Sequence, residues 1–128
     1  MENDPLKSPK KPRKTENRTV LLLRHNGTYA IRRRTEGLLI GMWEFPSVSG
    51  HLTEEECAAV IRAMGMEPLS ITPSVPAKHV FTHIEWHMIG YTADVAEKSP
   101  ELLWKSAEEI RREYAIPTAL KKYAQQME

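Results

Sequence analysis

Val20-Leu21-Leu22-Leu23-Arg24-His25-Asn26-Gly27-Thr28-Tyr29-Ala30-Ile31 joins an apolar run to a turn signal. Four successive aliphatic residues leave no polar face, so Val20 to Leu23 suit a strand covered on both sides. Asn26 and Gly27 both tolerate positive φ and signal a tight hairpin. Tyr29, Ala30 and Ile31 return as its second strand. A strand that needs cover on both faces implies helices on either side of a sheet.

The helices are marked on the C-terminal side of this hairpin. Thr53 with Glu56 predicts a capping box, and Glu54 and Glu55 complement the dipole of the first turn. Cys57, Val60, Ile61 and Met64 recur at helical spacing as the buried stripe, and Gly65 supplies a left-handed end. Pro68, Pro73 and Pro76 break the next stretch. His79 to Val95 then reads as extended chain, with His87, Ile89, Tyr91, Ala93 and Val95 on one face and Trp86 and Met88 on the other. After a turn at Ser99-Pro100, Ser106 and Glu109 form a second capping box. Ala107, Ile110 and Tyr114 make its stripe, and Arg111 and Arg112 sit where cations belong. Pro117 ends that helix and opens a last one, packed through Leu120, Tyr123 and Ala124. The expected fold class is α+β, a mixed sheet sandwiched between helices, over residues 20–128.

The chain has 128 residues, a 41% apolar content and a formal charge of +1, which fits one globular domain. No global charge excess announces a nucleic-acid binder. The single cysteine, Cys57, excludes an internal disulfide and any four-cysteine zinc or iron–sulfur site. No apolar run reaches the roughly 18–20 residues that span a bilayer. Met1 to Thr19 lacks an apolar core, so it is no signal peptide. It carries Lys7, Lys10, Lys11, Arg13, Lys14 and Arg18 against Glu2, Asp4 and Glu16, with Pro5, Pro9 and Pro12. Residues 1–19 therefore read as a flexible basic interdomain linker, either a plain soluble tail or an arm that touches phosphates. A linker at the start of a chain suggests a piece of something longer.

Arg32, Arg33 and Arg34 read as a solvated strand end or as a phosphate-contacting patch. Together with Lys78 they are the candidate phosphate contacts. Trp43 and Phe45 read as core rather than as a ligand platform. His79, His83 and His87 recur every four residues, but along a strand such positions lie about 13 Å apart, too far to share one zinc. No metal site is expected.

The strand, the Gly-containing loop and the capped helix ending at Gly65 resemble the outline of a Nudix domain. That family's helix ends Arg-Glu-apolar-x-Glu-Glu-x-Gly, and its glutamates hold a divalent metal against the substrate pyrophosphate. With Gly65 as the last glycine, Ala58 stands at the arginine position, Ala59 at the first glutamate, and Arg62 and Ala63 at the pair. Glu54, Glu55 and Glu56 lie too early to substitute, and Mg²⁺ needs hard oxygen ligands.

A closer resemblance rests on several segments in order. These are Arg18-Thr19-Val20-Leu21-Leu22-Leu23, Gly41-Met42-Trp43-Glu44-Phe45-Pro46, His79-Val80-Phe81-Thr82-His83, and Leu103-Trp104 followed by Ile116-Pro117-Thr118-Ala119. Lys7 to Lys11 adds a matching linker. Over Arg18 to Tyr123 the chain resembles the C-terminal, 8-oxoguanine-recognition domain of the MutY family of A/G-specific adenine DNA glycosylases, a Nudix-like fold. The resemblance implies a lesion reader in base excision repair, with Phe81, Thr82 and His83 as the loop that reaches 8-oxoguanine opposite adenine. Thr82 stands where the family has serine. It implies that this chain alone is no enzyme, has no catalytic residue and carries no cofactor, a 4Fe-4S cluster belonging to an N-terminal catalytic domain of the parent. The implied partners are that domain and double-stranded DNA containing 8-oxoG:A, for a monomer in the bacterial cytoplasm with no membrane contact. The alternative is a Nudix-type hydrolase of oxidised nucleotides.

The residue types suit the reader independently. Oxidation at C8 adds a carbonyl acceptor and turns N7 into an N–H donor. A threonine hydroxyl both accepts and donates, so Thr82 could meet either. Phe81 could wedge beside the base, and His83 could donate to base or phosphate.

Overall fold

Strand β1 (Lys14–His25) is the axis of the structure, a computed structural model that describes residues 12–128. It runs parallel to β7 (Ile84–Val95), in register from Lys14 opposite Ile84 to Arg24 opposite Asp94. Its other edge is shared. β4 (Ser47–Ser49) pairs antiparallel near its middle, and β2 (Thr28–Arg33) pairs at its end. Asn26 and Gly27 have φ of 47° and 74°, the left-handed pair of the expected hairpin. β3 (Trp43–Glu44) and β8 (Leu103–Lys105) pair with β2, while β5 (Pro68–Pro73) and β6 (Ala77–Val80) pair with β7. The result is the expected mixed sheet, in the order β3-β2-β1-β7-β5 with β4, β6 and β8 off that path.

Alternation along β1 feeds two cores. Leu21 and Leu23 face α1 (Glu54–Ala63), meeting Cys57, Ile61, Ala93 and Val95. Val20 and Leu22 face the other side, where Trp86, Met88, Phe45, Tyr123 and Ile110 of α2 (Ala107–Glu113) close over them. Both capping boxes form as read from the sequence, at Thr53/Glu56 and Ser106/Glu109. Gly65 takes φ of 89° past the end of α1. Burial pushes the Cys57 thiol up to about 11, so it is a packing residue and not a nucleophile. A 3-10 turn (Thr118–Leu120) leads into α3 (Lys121–Ala124), which buries Leu120 and Tyr123. No described helix is long and apolar enough to cross a membrane.

Three expectations are corrected. The ordered strand begins at Lys14, so Lys14 to Thr19 belong to the sheet and not to a flexible linker; β7 is equally long and supplies their backbone partners. The rest of that linker, residues 1–11, lies outside the described residues. The proline-broken stretch contains β5: as an edge strand with Pro68 and Pro73 at its ends, it tolerates the missing donors. His79 to Val95 is not one extended run but β6, a turn at Phe81–His83 and β7.

Gly90 lies under Tyr123, and a Cβ there would stand 2.6 Å from the ring's Cε1. Tyr123 is fully buried and has no room to retreat. Gly90→Ala should therefore destabilise the fold by about 1–3 kcal/mol through overpacking, read as a lower urea midpoint with an unchanged slope.

Candidate functional site

The β6–β7 hairpin ends in the turn Phe81-Thr82-His83. The Phe81 amide donates to the Ile84 carbonyl at 2.8 Å, which closes the turn. The Lys14 amide donates to the His83 carbonyl at 3.1 Å, which ties it to β1. Thr82 and His83 are exposed. Phe81 folds back instead, edge-on to His79 at 4.7 Å and to Trp86 at 4.9 Å between ring centroids. In this arrangement Thr82 and His83 face solvent and the phenyl packs back on the aromatic rings.

A cleft of about 840 Å³ opens beside β2 and β3, with Arg18, Arg32, Arg33, Arg34, Trp43 and Glu44 in its lining. Glu44 is 4% exposed and serves two guanidiniums: Arg34 donates to Oε1 at 2.8 Å and Arg32 to Oε2 at 3.0 Å. Arg34 also donates to the Leu38 carbonyl, and Arg32 to that of Ser47. Arg18 donates to the Ser47 hydroxyl at 2.7 Å and has no carboxylate partner among the described residues. Desolvation first, and the nearby charge of Arg34 second, hold its guanidinium below the ordinary arginine value. Arg32 and Arg34 thus share one buried carboxylate and Arg18 stands beside them without one, while Glu36 and Glu101 stand exposed at the rim. Such a floor attracts anions, phosphate among them.

Cleft and turn meet at one ring. Trp86 is 2% exposed, and the guanidiniums of Arg18 and Arg34 each lie 5.1 Å from its centroid. A continuous column therefore runs from His79 through Phe81 and Trp86 to the arginines and Glu44. Trp86 Nε1 is buried and has no hydrogen-bond partner among the described residues.

The expected site residues divide. Phe81, Thr82 and His83 do share a turn. Arg32, Arg33 and Arg34 are more than a solvated strand end, because Glu44 faces Arg32 across β2 and β3 and holds Arg32 and Arg34 in ion pairs at the wall of the cleft. Only Arg33 is exposed, over the Trp43 ring at 5.3 Å. Lys78 is exposed on the opposite sheet face, 3.5 Å from Glu85. Phe45 is core as expected, whereas Trp43 is a cleft wall, edge-on to Tyr114. The three spaced histidines separate: His79 lies on β6 against Phe81, His83 in the turn, and His87 on β7 against Glu85. The sequence reading missed Arg18, Glu44 and Trp86. The alternation of Arg32 and Arg34 around a hairpin was the available signal, but it does not say where the answering carboxylate stands.

Helix α1 does not fit a Mg²⁺–pyrophosphate clamp. Ala58, Ala59 and Ala63 have no donor oxygen, and Arg62 is a cation paired with Glu67 at 3.1 Å. The Glu56 carboxylate is engaged in capping, 2.8 Å from the Thr53 amide.

Glu44→Ala would leave three guanidiniums facing one another in a desolvated pocket. It should cost about 3–5 kcal/mol, as removal of one partner of a buried pair does. Glu67→Ala, which breaks the exposed pair with Arg62, should cost under about 1 kcal/mol. Urea denaturation of the two variants measures the contrast.

A NUDIX domain matches residues 18–126. No curated protein matches the chain significantly. Among solved structures, the chain is similar to a MutT NUDIX hydrolase from Burkholderia pseudomallei, with 16% identity, TM-score 0.68, and 88% of this chain and 98% of that one covered. It is also similar to the E. coli ORF135 protein, with 16% identity, TM-score 0.65, and 88% of each chain covered. A MutT protein from Methanosarcina mazei Go1 aligns at 17% identity and TM-score 0.61, over 91% of this chain and 95% of its own. At these identities the likeness is one of fold. The NUDIX family match nevertheless overturns the expectation that this chain is no enzyme. Sheet, flanking helices and matched span agree: the chain belongs to the NUDIX family.

Proposed function

We propose that this NUDIX domain recognises guanine oxidised at C8 and placed opposite adenine in duplex DNA, as the likeness to the MutY recognition domain implies. The observation that carries the reading is the turn: Thr82 and His83 are exposed at the tip of a hairpin braced by the Lys14 amide and by Phe81 on Trp86. The Thr82 hydroxyl can accept from N7–H or donate to O8 of the oxidised base. It can also donate to N7 of normal guanine, so the discrimination from this contact is on the order of 1–3 kcal/mol. His83 adds a ring nitrogen beside it. The extra methyl of threonine relative to serine narrows the approach without removing the hydroxyl.

Hydrolysis of free oxidised nucleotides is the second reading. The family match and neighbours named as MutT and NUDIX hydrolases favour it, and the arginine cleft would suit a nucleotide's phosphates. The comparisons weigh toward this reading; the side chains at 58, 59, 62 and 63 weigh toward the first.

One preparation tests both. Labelled duplexes with 8-oxoG:A or G:C are titrated by fluorescence anisotropy, and 8-oxo-dGTP is incubated with the protein and Mg²⁺ while phosphate products are followed. The first reading expects tighter binding of the lesion duplex. Thr82→Ala should cut that preference roughly 5- to 150-fold, the equivalent of about 1–3 kcal/mol, and leave G:C binding unchanged. Turnover of 8-oxo-dGTP without lesion preference overturns the first reading in favour of the second.

A further inference from the structure

The face of the sheet opposite Trp86 carries charges that neither the turn nor the cleft uses. The core under helix α1 takes in Leu21, Leu23, Ala30, Ala93 and Val95, with Ile71 and Tyr91 packed against it. The strands run on past it. There the register sets Thr15 beside Glu85 and Val80 in one row, and Asn17 beside His87 and Lys78 in the next. Arg13, just ahead of β1, and Lys78 on β6 both reach Glu85, at 3.2 and 3.5 Å. His87 joins them at 3.0 Å. The side chains of Arg13, Lys78 and His87 are 45%, 59% and 40% exposed, and that of Glu85 is 19% exposed. The three neighbours depress the carboxyl of Glu85, the His87 hydrogen bond first. Among the described residues one carboxylate faces two permanent cations, so the patch keeps a positive excess. It also holds both cationic heads against the sheet.

The patch adjoins the turn. Lys78 and Glu85 lie on the two strands that the turn connects, and the residue after Arg13 is tied to it by the Lys14 amide on the His83 carbonyl. Arg13 and Lys78 come from opposite sides of β7, two strand spacings or about 10 Å apart at the backbone.

We propose that Arg13 and Lys78 bind the phosphodiester backbone of a DNA duplex on the face beside the turn. The inference rests on the DNA reading of that turn, and it adds to the arginines of the cleft, whose shared carboxylate Glu44 is buried, a second and more exposed set of phosphate contacts. A duplex entered by the hairpin tip passes its backbone over the flanking strands. These contacts carry affinity and salt dependence and no sequence or lesion information.

The test is the salt dependence of binding to an undamaged G:C duplex and to an 8-oxoG:A duplex. The wild type, Arg13→Gln/Lys78→Gln and Lys122→Gln are compared, the last an exposed site on α3. The double variant should flatten the log affinity–log salt slope by about 2 on both duplexes, close to one per lost phosphate contact. It should leave the lesion-to-normal ratio as it was, and Lys122→Gln should leave the slope unchanged. An unchanged slope in the double variant, an equal loss in Lys122→Gln, or no duplex binding at all overturns the proposal. A flattened slope in a protein without lesion preference sinks the reading of the turn and keeps this surface. A lesion preference with an unaltered slope does the reverse.

Discussion

Parallel pairing of β1 with β7 is the constraint from which the architecture follows. Parallel strands have slanted ladders and need both faces covered. The sequence meets that demand with Val20-Leu21-Leu22-Leu23 on one strand and with Trp86, Met88, Ala93 and Val95 on the other, all at most 2% exposed. α1 covers one face; α2 and the C-terminal helical turns cover the other. Thr19 sets how the chain enters α1. Its buried hydroxyl donates to the Gly50 carbonyl at 2.7 Å and accepts from the Leu52 amide at 2.9 Å, just ahead of the Thr53 cap. At the far end of the pair, Arg24 donates to both oxygens of Asp94 at 2.8 and 3.0 Å. The ladder is thus pinned by side chains at both ends of its apolar stretch.

The same register builds the candidate site. Glu16 lies opposite Trp86 and Arg18 opposite Met88, so β1 brings a guanidinium over the indole. Arg34, just past the end of β2, brings a second. Phe81 then has an aromatic floor to fold onto, which leaves Thr82 and His83 to solvent. The electrostatics are graded. Glu44 neutralises part of the arginine cluster inside the protein, while Glu85 neutralises part of the outer one, whose members stay exposed. Burial separates the structural charges from those free to meet a ligand.

Local signals in the sequence translated faithfully. The Asn26-Gly27 hairpin, both capping boxes and the Gly65 helix end depend on neighbours within a few positions, and each is where the residues put it. Periodicity also sorted the two faces of β7. What was illegible depends on pairing between distant segments. Lys14 to Thr19 is polar and proline-flanked, and it becomes strand because β7 offers it a partner 70 residues away. β5 hides behind two prolines because an edge strand can spare their donors. The site follows the same rule: the turn was readable from its own residues, but the role of Arg18, the burial of Glu44 and the placement of Trp86 all arise from tertiary contacts. The missing carboxylates of α1 were plain in the sequence, yet they did not decide what family the chain joins.

The long-range ladder has a kinetic side. β1 precedes β7 by most of the domain, so its apolar residues stay without their main partner until Val95 has been synthesised. Local hairpins and capped helices can form early, but the central pairing closes a loop of some 70 residues, as the Arg24–Asp94 contact shows, and loop closure of that order slows folding relative to helical domains of equal size. Val20 to Leu23 is then the segment most exposed to misassociation on a nascent chain.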